Sequence, residues 1–324
     1  VKQKMELTME QCCEKLFKMD DIAVLCHRNP DGDTLGSAFA LKYILEQFGK
    51  RVRVESHDGF PKQYAYMFPK SQPEFEPRFV VAVDIADEEL LGSSMNKYKG
   101  KIDLCIDHHS SNKCYAADWY VRPTAAAAAE ILEDVCYGLP GAELTKGIAN
   151  CIYTGVSTDT GCFRYSNTTA HSHAVAGRMI AAGCDFKMIN RVMFEIKSQS
   201  RIAMEKEVLA TMEYHFNKKL ALVYITRDMM ERTGALDSEL EEIASMPRQI
   251  EGVVVGATLR QRDDGYKISL RSGEETDCAA ICGMLGGGGH RCASGCFVKG
   301  SLEHAKEEII SVVGKALGFG EDKC

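Results

Sequence analysis

Ile106-Asp107-His108-His109 closes the run 101–106 (KIDLCI), and its reading decides how the first half of the chain folds. A carboxylate and two imidazoles leave one strand end together. Imidazole is the commonest metal ligand near neutral pH, and carboxylate with imidazole suits Mn, Fe or Zn. Alone, the triplet reads equally well as a surface His pair or a polar group satisfied in the core. Its meaning comes from other apolar runs that end in Asp.

Residues 22–26 (IAVLC) form one such run, and they enter His27-Arg28-Asn29-Pro30-Asp31-Gly32-Asp33 directly. Residues 79–83 (FVVAV) end in Asp84. Helices are expected over 9–18, over 35–48 with Gly49 closing it, over 125–135, and over 172–182 before Gly183. A further strand is expected at 51–55. Residues 144–153 lead into a Thr/Gly-rich turn, 154–161, that carries Asp159. Short apolar strands alternating with helices predict a parallel sheet, and open α/β sheets bind ligands at the carboxyl ends of their strands.

A charged, helical stretch at 195–212 separates this pattern from a second one. Strands are expected there at 220–226, 253–259, 266–271 and 296–298. Helices are expected at 238–245, 278–285 and 302–317, with a glycine loop at 286–290. The fold class is therefore α/β. An N-terminal parallel-sheet domain with helices on both faces is expected at 1–190, a helical linker at 191–215, and a smaller α/β domain at 216–324.

The 324 residues suffice for two cores, and 45% hydrophobic with 26% charged residues is ordinary for a globular protein. A net charge of -7 argues against gripping long nucleic acid through a broad basic surface. It leaves room for a small anionic substrate in a local pocket. The 14 Cys are scattered, and the first 24 residues lack a signal-peptide h-region. Reduced thiols in a cytoplasmic protein are the reading. Cys278, Cys282, Cys292 and Cys296 lack standard zinc spacing and read as small buried hydrophobes. No apolar run approaches the roughly 18 residues of a membrane span, so no membrane partner is expected.

Pro30 and Gly32 force a turn, so His27, Asp31 and Asp33 project from one strand end with no helix between them. Each segment alone also reads as a capped polar turn. Together, Asp31, Asp33, Asp84, Asp159, His27 and His108 form a set of nitrogen and oxygen ligands without a thiolate, leaving Asp107 and His109 for other work. Four gathered carboxylates repel and protonate unless cations lie among them. The donor set fits a pair of Mn²⁺-like ions. Two such ions about 3.5–4 Å apart activate water and clamp phosphoryl oxygens, which points to hydrolysis of a phosphoester or phosphoanhydride.

The segments His27-x-Asn-Pro-Asp31-x-Asp33, Asp84, Asp107-His108-His109 and Thr158-Asp159-Thr160-Gly161 resemble the four motifs of the DHH phosphoesterase superfamily, in the family's order. Gly286-Gly289-His290-x-x-Ala293-Ser294-Gly295 resembles the signature of the DHH-associated C-terminal domain. The resemblance spans nearly the whole chain and is greatest to the stand-alone nanoRNase/pAp-phosphatase (NrnA-like) group. It implies an active site in the cleft between the two domains. It implies one ion held by His27, Asp31 and Asp84, and a second by Asp33, Asp84, His108 and Asp159, with Asp84 bridging. His109 would contact the scissile phosphate or protonate the leaving oxygen, and Asp107 would orient an imidazole.

The resemblance also places Ser269, Arg271, Ser272, Gly287, Gly288, Gly289 and His290 at substrate-gripping positions, where glycines let backbone N–H groups approach phosphate. Arg164 could fork onto a phosphate. Two departures bear on substrate choice: Glu88-Glu89 stands where relatives often carry a basic residue, and only Thr124 precedes the five alanines 125–129. The expectation is a cytoplasmic Mn²⁺ enzyme. It would cut short RNA to 5′-mononucleotides and convert 3′-phosphoadenosine-5′-phosphate (pAp) to AMP. A homodimer follows by resemblance only. A cyclic-di-AMP or pApA phosphodiesterase is the near alternative, and a non-catalytic nucleotide-binding protein the distant one. A long-strand exonuclease would want a basic track, and a pyrophosphatase would not need the glycine loop.

Overall fold

Ile22, Val24 and Cys26 point to one side of their strand and Ala23 and Leu25 to the other, and all five are fully buried. A strand covered on both faces has no polar alternation, which is why it reads as one apolar run. In the computed structural model, the described residues are 4–240 and 243–319. The chain divides after Ile196 into two compact units.

The first unit contains β1 (Met5–Glu6), α1 (Met9–Lys18), β2 (Ile22–Leu25), α2 (Gly32–Glu46), β3 (Val52–Glu55), β4 (Phe79–Val83), β5 (Leu104–Asp107) and β6 (Asp118–Val121). The helices α3 (Ala128–Gly138), α4 (Lys146–Asp159), α5 (Ala170–Ala181) and α6 (Phe186–Asn190) follow. The six strands form one parallel sheet in the order β1-β6-β5-β4-β2-β3. On one face, Leu16, Phe39, Ile131, Ile152 and Val175 from α1 to α5 share a core with Val24, Val83 and Ile106. On the other, 3₁₀ segments Glu88–Leu91 and Ser93–Tyr98 bring Leu91, Met95 and Tyr98 against Leu25, Ala82 and Cys105.

The second unit holds α7 (Gln199–Ala210), β7 (Glu213–His215), β8 (Leu220–Ile225), α8 (Arg227–Thr233), β9 (Val255–Gln261) and β10 (Gly265–Ser272). It continues with α9 (Cys278–Gly283), β11 (Gly288–His290), β12 (Ala293–Lys299) and α10 (Leu302–Ala316). Its sheet runs β11-β12-β10-β9-β8-β7, with only β8 and β9 parallel. One face packs on α9 and α10 through Ile281, Cys282, Ile309 and Val313. On the other, α7 buries Met204 and Val208 against Val223 and Ile225 of β8. So α7, inside the stretch expected as a linker, is part of this unit's core.

Several local expectations differ from the structure. The helix expected from residue 35 starts at Gly32, because the Asp31 carboxylate accepts the Asp33 and Thr34 N–H groups at 3.0 and 3.1 Å and caps it. Asp159 does not sit in a turn: α4 runs through it. The hydroxyls that suggested a turn bond back to the preceding turn instead, Thr154 to Asn150 O and Thr158 to Thr154 O, each at 2.8 Å. The helix expected at 238–245 is two 3₁₀ segments, Asp237–Glu239 and Ile243–Gln249, with residues 241–242 outside the described ones. The glycine loop is partly a strand, β11. All described cysteines are free thiols. Among the described residues, no helix is long and apolar enough to cross a membrane.

Candidate metal and phosphoester site

Three neighbouring parallel strands, β2, β4 and β5, end at one edge of the first sheet, and each end delivers a polar group. His27 follows β2, Asp84 follows β4, and Asp107 ends β5 with His108 and His109 behind it. Asp84 sits at φ +57, is 4% exposed, and its Oδ1 has no hydrogen-bond partner. A buried carboxylate oxygen without a donor is the atom a cation would satisfy.

The two flanking imidazoles are oriented alike. His27 Nδ1–H donates to Arg28 O at 2.8 Å, and His108 Nδ1–H donates to Ala125 O at 3.1 Å. Each Nε2 is thereby turned towards carboxylates. For His27 these are Asp31 Oδ1 at 3.6 Å and Asp84 Oδ2 at 3.7 Å. For His108 they are Asp84 Oδ1 at 3.5 Å, and Asp33 and Asp159 Oδ2 at 3.8 Å each. A backbone carbonyl on Nδ1 that leaves Nε2 free is how proteins prepare a metal-binding imidazole.

Helices supply the other two carboxylates. Asp33, in the first turn of α2, accepts the Ala128 N–H at 2.6 Å and the Ala129 N–H at 2.9 Å. It thus caps α3, whose own N-cap, Ala127, has no side-chain acceptor. Asp159, the last residue of α4, is held by Asn167, whose Nδ2 donates to Asp159 Oδ2 at 3.3 Å and to Ala126 O at 3.0 Å. The helices approach closely because Gly36 and Gly155 carry no side chain. A Cβ on Gly36 would lie 2.4 Å from Cys151 O, and one on Gly155 would lie 2.4 Å from Ala129 Cβ and 2.7 Å from Asp33 Oδ1.

Three overlapping groups of donor atoms result, each within 4.8 Å: His27-Asp31-Asp84, Asp33-His108-Asp159 and Asp84-His108-His109. The crowding is visible in the acidities. Burial and then the Asp159 charge push Asp33 up to about 7. Burial and then the Asp31 charge push Asp159 up to about 7. Asp84 is raised well above the usual carboxylate range by burial, then by Asp33, Asp31, Asp107 and Asp159. Carboxylates that resist ionisation beside aimed imidazoles fit divalent cations.

His109 is oriented differently. Its Nδ1 is 2.8 Å from Asp107 Oδ1, and that bond is the main reason its pKa is raised. Asp107 is fully buried. Its Oδ1 also accepts the His108 and His109 N–H groups, and its Oδ2 accepts Asn112 Nδ2 at 2.6 Å. With Nδ1 committed, His109 keeps Nε2 for another partner. Sequence spacing marks neither Asn112 nor Asn167, because an amide that holds a carboxylate needs no fixed offset from it. Arg164 is exposed, with Nε donating to Gly161 O at 2.6 Å.

In the second unit, Arg271 and His290 both pair with Ala293, from opposite sides of β12, and so share one face of the sheet. Ser269 lies on that face too. Ser272 does not: it pairs with the buried Val255, and its hydroxyl donates to Thr276 O at 2.7 Å while accepting the Cys278 thiol. Gly287 passes so near β12 that a Cβ would lie 2.3 Å from Gly295 O, and Gly289 has φ +145, whereas Gly288 faces open space. Gly288, Gly289 and His290 are exposed on the edge strand.

The model of the DHH family N-terminal domain matches residues 21–156, and that of the DHHA1 domain matches 217–318. The bifunctional oligoribonuclease and PAP phosphatase NrnA of Thermus thermophilus is 31% identical over 91% of this chain and 90% of its own length. The chain belongs to the DHH family. Among solved structures, an exopolyphosphatase-related protein from Bacteroides fragilis superposes with TM-score 0.84 at 24% identity, over 95% of this chain and 96% of that one. RecJ of Thermus thermophilus in complex with Mn²⁺ gives 0.53 at 13% identity, over 95% of this chain and 54% of that one. These likenesses bear on the fold. As a DHH protein, the chain is a hydrolase of phosphoester bonds.

Proposed function

We propose that this DHH protein is a divalent-metal-dependent phosphodiesterase and phosphatase that releases 5′-mononucleotides from short RNA oligonucleotides and converts pAp to AMP. The observation that carries the reading is the division of labour at the sheet edge. Six side chains turn acceptor atoms towards one another, while His109, whose Nδ1 is 3.5 Å from Asp84 Oδ1, sits nearer to Asp107 Oδ1 at 2.8 Å. The name of the Thermus thermophilus relative supports the substrate class.

His27, Asp31 and Asp84 would hold one Mn²⁺, and Asp33, Asp84, His108 and Asp159 a second. When bound, such ions supply positive charge that lowers the pKa of water and neutralises phosphoryl oxygens. The chain's own residues do the rest. Asp84 would serve both ions, with its Oδ2 towards His27 and its otherwise unpartnered Oδ1 towards His108. Asn167 and the Ala128 and Ala129 N–H groups fix Asp159 and Asp33 in place, and Asn112 fixes Asp107. His109, protonated with the help of Asp107, offers its Nε2 proton to the leaving oxygen as the ester bond breaks. Arg164, Arg271, His290 and the backbone of Gly287, Gly288 and Gly289 bind the phosphates and sugar of the substrate.

Turnover with Mn²⁺ of pAp, pApA, RNA from dinucleotide to long strand, cyclic di-AMP and pyrophosphate tests this. Release of AMP from pAp and of mononucleotides from the shortest RNAs is expected. Activity on pyrophosphate alone would overturn the nucleotide reading.

A further inference from the structure

The second sheet leaves part of one face uncovered. Along β10, Ile268 and Leu270 point into the core, whereas Lys267, Ser269 and Arg271 alternate to the other side and keep solvent exposure. Along β12, Ser294, Cys296 and Val298 are buried, and Ala293, Gly295 and Phe297 alternate with them. Strand register sets these residues in rows. Lys267 lies opposite Phe297, and Ser269 opposite Gly295. Arg271 lies opposite Ala293, and on the edge strand Gly288 and His290 lie opposite Gly295 and Ala293.

The two ends of this face differ. Arg271 and His290 flank Ala293 at one end. Arg248 lies beside them: its backbone covers Gly256, the register partner of Arg271, its guanidinium reaches the position above Gly273, and its Nε is buried with no partner. At the other end Phe297, past the point where β11 pairs with β12, stays 40% exposed beside the exposed Lys267. Gly295, Gly288 and Ala293 make a floor without bulky side chains between the ends. Among the described residues, Lys267, Arg271 and His290 have no carboxylate partner. The four residues from Ala293 to Phe297 span about 13 Å.

An aromatic ring exposed on a sheet beside an unpaired lysine, with Arg271 and Arg248 at the far end of the same face, suits single-stranded nucleic acid: a base stacks on the ring while phosphates meet the cations. A protein partner would meet the ring but would leave Lys267 and Arg271 unanswered unless it were acidic. We propose that this face is a track for a single-stranded oligonucleotide, with Phe297 stacking a base and Lys267 facing a backbone phosphate, at a distance from the group held by Arg271, Arg248 and His290. It rests on the reading that the substrate is a nucleotide, and it adds a chain-length preference. About 13 Å corresponds to about four stacked nucleotides at about 3.4 Å each, and to fewer when the strand is extended. A ligand held at the Arg271 end of this face reaches Phe297 only if it is longer than pAp or a dinucleotide.

The test uses the full chain and its Phe297→Ala, Phe297→Tyr and Lys267→Gln variants. Binding of fluorescein-labelled RNAs of two and five nucleotides is titrated in EDTA, and KM for pAp and the pentamer is measured with Mn²⁺. Phe297→Ala should raise the pentamer-to-pAp KM ratio, and weaken pentamer binding in EDTA, by about five- to a hundred-fold. Phe297→Tyr should restore both, and Lys267→Gln should flatten the salt dependence of pentamer binding. A pentamer-to-pAp ratio within twofold of wild type would overturn the proposal. So would a dimer-to-monomer shift of Phe297→Ala in sedimentation, which would assign the face to a second copy. Wild-type protein that binds the pentamer through Phe297 yet hydrolyses no nucleotide would overturn the functional reading and leave this face as a binding surface.

Discussion

Asp33 Oδ2 accepts the Ala128 N–H at 2.6 Å across 95 residues of sequence. One carboxylate therefore closes the N-terminus of α3 and faces His108. Removing it should separate the two roles. Asp33→Ala should destabilise the metal-free protein by about 0.5–2 kcal/mol in urea unfolding, the usual loss for a helix cap. Asp33→Asn, which keeps one acceptor oxygen for one of the two N–H groups, should recover part of that stability while losing Mn²⁺ affinity in calorimetry. Equal stability for the two variants would count against the cap.

The Asp107–His109 pair should show in the pH profile. A general acid works protonated, so its contribution is lost as pH rises through its pKa, and Asp107 raises that pKa. With Mn²⁺ at the same saturation, Asp107→Asn should move the alkaline limb of kcat downwards. His109→Gln should lower kcat by about 10²–10⁴ with Mn²⁺ affinity little altered. A His109→Gln protein that loses its metal would instead make His109 a ligand.

Gly155 keeps α4 against Asp33 and Ala129. Gly155→Ala places a methyl where neither neighbour can give without moving the other, so a loss of about 1–3 kcal/mol is expected from overpacking. Because Asp33 is one of the two atoms displaced, Mn²⁺ affinity should fall with it. Gly177→Ala, at a helical position with open space around it, serves as the control and should not destabilise.

The raised acidities make metal-free stability depend on pH in a definite direction. Asp33 and Asp159 titrate near 7 when folded and near about 3.9 when unfolded. The folded state therefore binds more protons between these values, and its stability falls as pH rises through that window. Asp84, His27 and His109, all raised, act in the same direction. The metal-free Tm should drop between pH 5 and pH 8, and Mn²⁺ should raise Tm more at pH 8 than at pH 5. A flat Tm across that range would show that the carboxylates do not meet.

What could be read from the sequence follows from burial. Ile22–Leu25 and Phe79–Val83 lie in a sheet covered on both sides, so their apolar runs announce strands, and the polar residue ending each run announces the sheet edge. Met5–Glu6 and Asp118–Val121 lie at one side of that sheet and are partly exposed, so neither pattern marks them. Asp159 reads as a turn residue in sequence because Thr, Ser and Gly favour turns in isolation. In α4 their hydroxyls find carbonyls of the helix itself, and Gly155 is needed for contact, not for bending. The six acceptor side chains announced themselves through their strand ends, apart from Asp159. Asn112, Asn167 and the α3 N-terminus could not, since they reach the site only through tertiary packing.

Asp84 occupies a left-handed backbone conformation that glycine adopts freely and a side chain resists. It also buries a carboxylate among others. Local conformational preference and charge both speak against this residue here, so the metal-free chain is frustrated at the point where the proposed ions would meet. Asp84→Gly should melt higher than wild type in EDTA and hydrolyse nothing. On the proposed reading, folding and catalysis would ask for different residues at position 84, and divalent ions would reconcile the two demands.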